Sequence, residues 1–208
     1  MKSYFVKTPY FVKRIFHTQT WSIPNNEKVI YLTFDDGPIP QVTPWVINLL
    51  NHYQIKATFF CIGDNVKKHP DIFNLLIQND HQIANHTYNH LNGWKTNLNT
   101  YITNTIQCSD ILGKTNTKLF RPPYGKITSK QSKNLIAKGF KIIMWDVLSA
   151  DFDQSITPQK CLDNVIKNVQ SGSIIVFHDS LKAQHNLEYA LPKTIEYLLD
   201  KGYKFKTL

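Results

Sequence analysis

Short runs of β-branched and aromatic residues alternate along this 208-residue chain with segments whose apolar residues recur at helical spacing. Such alternation is typical of parallel strands connected by helices that cover the sheet. The continuous apolar run 174–177, which lies in the predicted strand 173–177, indicates a strand that is buried on both faces. The other predicted strands are 29–34, 57–62, 82–85, 119–120, 140–147 and 203–205, and the predicted helices are 43–53, 70–79, 98–112, 128–138, 157–170 and 187–200.

About seven strands in this arrangement predict an α/β fold, a closed or nearly closed TIM-like (β/α) barrel. An open doubly wound sheet is the alternative. The length suits one domain, which we place at residues 29–208 after an N-terminal arm over residues 1–28. In both folds the carboxyl ends of the strands carry the chemistry, so functional side chains are expected there.

The composition excludes several classes of protein. The net charge is +9, but the basic residues are scattered and no nucleic-acid-binding motif occurs, so we predict no nucleic-acid partner. No apolar run reaches the roughly 18 residues of a membrane-spanning helix. Three widely separated cysteines, an odd number, predict free thiols in a reducing compartment; they are Cys61, Cys108 and Cys161.

The N-terminal arm is basic and aromatic, and Lys7, Pro9, Lys13 and Arg14 interrupt its apolar residues. This pattern lacks the uninterrupted apolar stretch of a signal peptide. We therefore expect a cytoplasmic protein whose arm packs its aromatic residues on the domain. Peripheral association with a membrane or the cell envelope is the alternative.

Two adjacent carboxylates, Asp35 and Asp36, end the first predicted strand in the sequence Thr-Phe-Asp-Asp-Gly. A break in the strand at Gly37-Pro38 can direct both towards one site. Two neighbouring carboxylates ionise together readily only when a positive charge lies between them. A metal ion supplies that charge if one aspartate binds it and the other is left as a base.

Two histidines four residues apart, His86 and His90, follow the third predicted strand. A helical turn would place their rings on one face, within reach of one metal ion. Imidazole suits zinc, cobalt and nickel. Together with Asp36 they would provide three ligands and leave a position for water or substrate, which is typical of a catalytic metal site.

Two further strands end in residues capable of chemistry. Arg121 opens the sequence Arg-Pro-Pro-Tyr-Gly, a rigid segment that can hold the guanidinium beside a carboxylate and direct a backbone N–H at an oxyanion. His178 follows the buried run 173–177 and is a candidate general acid.

These four motifs, in this order, resemble the polysaccharide deacetylases of carbohydrate esterase family four, the NodB homology domain. The resemblance runs from about residue 29 to the C-terminus and implies a distorted (β/α) barrel with its catalytic domain at 29–208. It also implies one divalent metal ion, Zn²⁺ or Co²⁺ with Ni²⁺ as a further option. The ligands that it implies are Asp36, His86 and His90.

The resemblance implies a role for each remaining motif residue. Asp35 would be the general base that activates the attacking water, and Arg121 would hold it in place and keep it ionised. His178 would protonate the leaving amine, and the backbone N–H of Tyr124 would stabilise the oxyanion. The substrate-binding residues that it implies are Tyr124, Phe152 and Val176, the last beside the acetyl methyl group.

The stretch Leu148-Ser-Ala-Asp-Phe152 departs from the family's Asp-x-x-Asp-Trp pattern, because Leu148 occupies the position of the first aspartate. We take that aspartate to be the usual partner of the catalytic histidine, so its loss predicts a weakened His178. The aspartates that can replace it are Asp146, Asp151, Asp153 and Asp179.

The implied function is hydrolysis of N-acetyl groups from a glycan that contains N-acetylglucosamine, such as a chitooligosaccharide or peptidoglycan. Two alternatives remain. Esters need less help at the leaving group, so a weakened His178 favours an O-acetyl esterase that acts on a polysaccharide such as xylan. A glycan-binding protein with a weakened catalytic site is the other alternative. Aromatic residues that can stack on sugar rings are Tyr88, Trp94, Tyr124 and Phe152.

Overall fold

The computed structural model describes residues 4–208 and contains one curled parallel sheet, a half-barrel accompanied by helices. The strand order is β5-β4-β3-β2-β1-β7-β6, and β8 pairs with the start of β1. The predicted distorted (β/α) barrel of parallel strands is confirmed. The strands are β1 Val29–Asp35, β2 Thr58–Cys61, β3 Gln82–Asn85, β4 Leu119–Phe120, β5 Lys141–Ile142, β6 Val147–Leu148, β7 Ile174–His178 and β8 Lys204–Lys206.

The helices follow the predicted pattern with a few differences. Short helices over Tyr10–Ile15 and Gly63–Lys68 were not predicted, because six residues are too few to show a helical period. The helix predicted over 157–170 ends earlier, at Ile166. The last helix begins earlier than predicted and accommodates Pro192 in its interior. The α-helices are α1 Tyr10–Ile15, α2 Thr43–His52, α3 Gly63–Lys68, α4 Pro70–Gln78, α5 Leu98–Leu112, α6 Ser129–Ala137, α7 Pro158–Ile166 and α8 Gln184–Asp200.

The central strand β1 divides its side chains between two environments, because successive residues of a strand point to opposite faces. Phe34 stacks on Phe59 of β2 and Phe177 of β7, with ring centroids 4.9 and 6.4 Å away, in the main apolar cluster. Thr33 and Asp35 point to the other face and contact Arg121. The apolar face therefore anchors the strand, while the opposite face holds the polar groups.

The predicted single strand 140–147 is wrong: the structure has two short strands there, β5 and β6. β5 pairs with β4 at one edge of the sheet, and β6 pairs with β7 at the other. One continuous strand cannot lie at both edges of a curled sheet, so residues 143–146 cross between them. Thr20 borders this crossing, since its N–H donates to Ile142 and its carbonyl accepts from Met144.

The N-terminal arm contacts the domain through its backbone, its lysines and Trp21, which is buried in a core cluster. Lys7 pairs antiparallel with Val147 of β6, and the Lys7 and Lys13 ammonium groups both contact the buried carboxylate of Asp146. By contrast, the predicted packing of aromatic residues does not extend to Tyr10 and Phe11, which are largely exposed. Residues 1–3 of the predicted arm lie outside the described residues.

Two predictions from composition can be compared with residues 4–208. None of the helices in that range is long and apolar enough to span a membrane. Cys61, Cys108 and Cys161 are all free and buried.

Candidate functional site

The predicted site residues come together at the carboxyl edge of the sheet. Asp35 ends β1 and is the register partner of His178, which ends β7. His86 and Arg121 directly follow β3 and β4, two neighbouring parallel strands. The sheet topology thus brings residues that are far apart in sequence to one place, as strand-end chemistry in this fold requires.

Three side chains converge as a candidate metal site. Asp36, His86 and His90 each offer one ligand atom, and these atoms all lie within 4.8 Å of one another. Asp36 Oδ1 lies 3.1 Å from His90 Nε2 and 3.6 Å from His86 Nε2. This carboxylate oxygen is buried and accepts no hydrogen bond from the described residues. An unsatisfied oxygen between two imidazole nitrogens fits a divalent cation such as Zn²⁺ or Co²⁺.

The hydrogen bonds of both histidines orient them as ligands. His86 Nδ1 donates to the Arg121 carbonyl over 2.8 Å, which leaves Nε2 with its lone pair towards Asp36. Burial lowers the pKa of His86 to about 4, so this ring is neutral at physiological pH. His90 Nδ1 lies 3.1 Å from the Tyr124 hydroxyl, and the two rings pack with centroids 4.6 Å apart. Sequence reasoning gave Tyr124 a backbone role and missed this side-chain contact.

The histidines do not lie on a helical turn, so that part of the prediction is wrong. Residues 86–90 form an irregular loop in which Thr87 and His90 have φ values of 65° and 55°. Asp36 and Tyr124 also adopt left-handed conformations, with φ of 82° and 60°. Such conformations cost about 1–3 kcal/mol for residues other than glycine and concentrate at functional sites. The loop brings the two imidazole rings to a centroid distance of 5.1 Å without a helix.

Asp35 and Arg121 form a buried ion pair beside the candidate metal site. Arg121 Nη1 donates to Asp35 Oδ1 at 2.5 Å and to the Thr33 hydroxyl at 2.8 Å. The guanidinium also donates to the Met144 carbonyl, and it lies over the Phe60 ring at 4.0 Å. Arg121 is completely buried, so its contacts fix it as a positive charge beside the carboxylate.

His178 has a carboxylate partner, which corrects the expectation that Leu148 weakens it. Its Nδ1 donates to Asp151 Oδ1 over 2.7 Å, and its backbone N–H donates to Asp151 Oδ2, also over 2.7 Å. Burial alone would lower the pKa of His178, but Asp151, with smaller contributions from Asp36 and Asp35, raises it to about 9. The predicted weakening is therefore wrong, because the second aspartate of the motif makes the contact that we had assigned to the first.

Asp179, another candidate partner of His178, instead shapes the turn that carries Asp36. It accepts hydrogen bonds from Gly37 N–H and the Thr43 hydroxyl, at 3.1 and 2.6 Å. A Cβ atom on Gly37 would lie 1.9 Å from Asp179 Oδ2, so the close approach requires glycine there. Burial raises the pKa of Asp179 to about 8. In the sequence, the only sign of the contact between Gly37 and Asp179 is that a glycine follows β1 in a turn and an aspartate follows β7.

The predicted substrate-binding residues are spread around this site. Phe152 meets His178 edge to face with ring centroids 5.0 Å apart, while the Tyr124 ring is 60% exposed. Val176 is buried, on the same face of β7 as His178, and its register partner is Leu148. Of the other predicted stacking residues, Tyr88 is buried in the core and Trp94 is 66% exposed.

Comparisons with known proteins agree with this arrangement. Residues 22–143 match the family model described as polysaccharide deacetylase. A peptidoglycan-N-acetylglucosamine deacetylase of Bacillus cereus is 34% identical over 192 residues, which cover 91% of this chain and 90% of the relative. A chitooligosaccharide deacetylase of Azorhizobium caulinodans is 34% identical over 166 residues, covering 77% of this chain and 78% of the relative.

A solved structure is similar over nearly the whole chain. It is the crystal structure of a peptidoglycan N-acetylglucosamine deacetylase, with a TM-score of 0.87 and 34% sequence identity. The alignment covers 97% of this chain and 95% of the other. The family-model match includes β1, β3 and β4, which carry Asp35, His86 and Arg121 at or directly after their ends, and this chain belongs to the polysaccharide deacetylase family.

Proposed function

We propose that this chain is a metal-dependent deacetylase that hydrolyses N-acetyl groups of N-acetylglucosamine residues in peptidoglycan or chitooligosaccharides. The observation that carries the proposal is the three-ligand cluster with Asp35–Arg121 on one side and His178–Asp151 on the other. The named activities of the relatives from Bacillus cereus and Azorhizobium caulinodans support the same class of substrate.

Asp36, His86 and His90 would hold the metal ion, for which Zn²⁺ and Co²⁺ are our first candidates and Ni²⁺ a further one. When bound, the ion supplies a Lewis acid that polarises the acetyl carbonyl and stabilises negative charge on its oxygen. The chain contributes ligands that are already oriented, because the carbonyl of Arg121 fixes the His86 tautomer.

Asp35 acts as the general base in this proposal. Its Oδ1 is held by Arg121, and its Oδ2 lies 4.0 Å from His86 Nε2, so the carboxylate borders the cluster without being its third ligand. A carboxylate held in this position can take a proton from the attacking water. The Arg121 guanidinium donates to Asp35 and fixes its orientation.

His178 acts as the general acid. The Asp151 carboxylate raises the pKa of His178 to about 9 against the opposing effect of burial, so the imidazole is protonated at neutral pH. A protonated imidazole can donate to the nitrogen of the departing amine, which is a poor leaving group otherwise. In this proposal the backbone N–H of Tyr124 adds a hydrogen bond to the developing oxyanion.

The intact pairing of His178 favours an amide over an ester as the substrate. The O-acetyl esterase alternative was favoured because His178 was expected to be a weakened acid. Since Asp151 contacts His178, that reason no longer applies. The alternative of a glycan-binding protein with a weakened catalytic site was also based on Leu148. The contact between Asp151 and His178 removes that support as well.

The substrate class can be tested by measuring acetate release from tetra-N-acetylchitotetraose and from acetylated xylan with the Zn²⁺-loaded chain. We expect release from the N-acetylated oligosaccharide, and a much lower rate with Asp35→Asn. His17→Ala, a change of an exposed histidine in the arm, is the matched control and should leave the rate unchanged. Release from xylan alone would contradict the proposed N-deacetylase and support the esterase.

A further inference from the structure

The N-terminal arm reaches the catalytic edge of the sheet. Lys7 pairs antiparallel with Val147, the Leu148 N–H donates to the Val6 carbonyl over 2.8 Å, and the Thr8 N–H donates to the Asp146 carbonyl. The carboxyl end of β6 lies at the site. Because the arm pairs antiparallel with β6, its residues come closer to the site in the order from Thr8 back to Tyr4. Tyr4 therefore lies at the same edge as the strand-end residues.

A buried carboxylate fixes the register of this pairing. Asp146 is completely buried and accepts from Lys7 over 2.6 Å, from Ser173 over 2.5 Å and from Lys13. The Lys7 ammonium also donates to the Asn168 carbonyl over 2.7 Å. A shift of the arm by one residue would move Lys7 to the other face and leave Asp146 without this partner, at a large free-energy cost.

At the end of the arm, Tyr4 contacts the residues next to His178. Its hydroxyl donates to Asp153 Oδ2 over 2.8 Å, and its ring meets Phe152 edge to face at a centroid distance of 5.7 Å. Phe152 in turn meets the His178 ring at 5.0 Å. A row of three rings thus runs from the arm to the imidazole, with the hydrogen bond to Asp153 fixing its outer end.

We propose that Tyr4 is a positioning residue of the active site: it holds Phe152 against His178 and so fixes the imidazole and the adjoining wall of the glycan-binding site. This inference rests on the proposed function, in which His178 protonates a leaving amine. The Asp151 carboxylate sets one side of the imidazole, and the Phe152 ring confines another. Loss of the Tyr4 ring allows Phe152 to change rotamer, so the His178 imidazole is held less firmly in place.

The test compares an amide substrate, which needs the acid, with an ester that does not. Hydrolysis of 4-nitrophenyl acetate releases a phenolate that leaves without protonation, whereas deacetylation of tetra-N-acetylchitotetraose requires a proton on the amine. For Tyr4→Ala in the Zn²⁺-loaded chain we expect kcat/KM on the oligosaccharide to fall roughly three- to tenfold, the size of a ring–ring contact. The metal-dependent rate on the ester should change by less than about twofold, which is less than the effect expected from losing a ring–ring contact.

Two further variants complete the design. Tyr4→Phe keeps the ring and loses the hydroxyl, so it should recover most of the oligosaccharide activity. Tyr10→Ala removes a tyrosine of the same arm that is 78% exposed and should match the wild-type chain on both substrates. Thermal melting of all the variants measures any general loss of folding.

The outcomes separate this inference from the proposed function. An equal loss on amide and ester, or no loss on either, would overturn the positioning role of Tyr4 while leaving the deacetylase intact. A wild-type chain that releases no acetate from the oligosaccharide would instead contradict the proposed function itself, and the inference with it.

Discussion

His178 Nδ1 lies 2.7 Å from Asp151 Oδ1, and this contact makes the histidine a strong candidate for a general acid. The same carboxylate accepts the backbone N–H of His178, so it fixes both the ring and the end of β7. A histidine buried without such a partner would be neutral at physiological pH, as His86 is. The Nδ1 atoms of these two histidines have different hydrogen-bond partners, a carbonyl for His86 and a carboxylate for His178. Asp36 and Asp35 also face His86, at 3.6 and 4.0 Å, but burial outweighs them and keeps that ring neutral.

Replacing Asp151 by Asn should disable the acid and shift its pH dependence. Without the carboxylate, burial lowers the pKa of His178, so the imidazole loses its proton at a lower pH. We expect deacetylation at pH 8 to fall roughly 10²-fold or more. The alkaline limb of the kcat/KM profile should move to lower pH. Asp110→Asn, a change of an exposed aspartate, is the comparison variant, and an unmoved alkaline limb in Asp151→Asn would exclude His178 as the acid.

Removing His86 or His90 should greatly weaken metal binding. Each supplies one of three ligand atoms, whereas loss of an outer hydrogen-bond partner typically weakens binding only 10–100-fold. For His86→Ala and His90→Ala we expect the Zn²⁺ affinity of the metal-stripped chain, measured by titration calorimetry, to fall by more than about 100-fold. The exposed His17→Ala provides the baseline. Wild-type affinity in either ligand variant would show that the cluster is not the metal site.

Replacing Arg121 by Met should destabilise the fold, because the change leaves the Asp35 carboxylate buried without its partner. Breaking a buried ion pair in this way costs about 3–5 kcal/mol of unfolding free energy. Urea denaturation measures the loss. The double variant Arg121→Met/Asp35→Asn should lose less than the sum of the two single variants, and strict additivity would show that the two side chains do not interact energetically.

The contribution of Asp146 to stability should depend on pH. Burial favours the neutral form, but Lys13, Lys7 and Ser173 outweigh it and lower the pKa of Asp146 in the folded chain. Because the folded pKa lies below the unfolded value of about 4, folding favours the ionised form. This contribution is present above the unfolded pKa and is lost as the pH falls through the folded pKa.

We therefore expect the difference in unfolding free energy between the wild-type chain and Asp146→Asn to be largest near neutral pH and to shrink in acid. Asp163→Asn is the matched control, since Asp163 pairs with Lys167 on an exposed helix surface and such pairs contribute little. A difference that stays constant from pH 7 to pH 3 would rule out the proposed ionisation of Asp146.

Much of the fold and the clustering of the candidate metal ligands followed from the sequence, because their signals are local. Alternating strand and helix patterns predicted the parallel sheet. Polar residues directly after β1, β3, β4 and β7 predicted the strand-end cluster, since parallel strands end at one edge. Asp36, His86 and His90 were identified in this way even though the predicted helical turn between the histidines is absent.

The remaining features depend on long-range or backbone geometry that residue patterns do not encode. Asp151 reaches His178 after a turn in which Ala150 has φ of 60°, a conformation that nothing in alanine predicts. Tyr4 meets Phe152 across nearly 150 positions, and that contact depends on the register that Asp146 imposes on the arm. The division of 140–147 into two strands likewise follows from the sheet topology, in which β5 and β6 lie at opposite edges.

The most direct test of the account is acetate release from tetra-N-acetylchitotetraose by the wild-type chain and Asp35→Asn, each stripped of metal and then supplied with Zn²⁺. Calorimetry on the same samples measures Zn²⁺ binding. We expect both chains to bind one Zn²⁺, the wild-type chain to release acetate only when it is loaded, and the variant to stay inactive. Acetate release by the loaded variant at the wild-type rate, or by the stripped wild-type chain, would contradict the roles proposed for Asp35 and the metal ion.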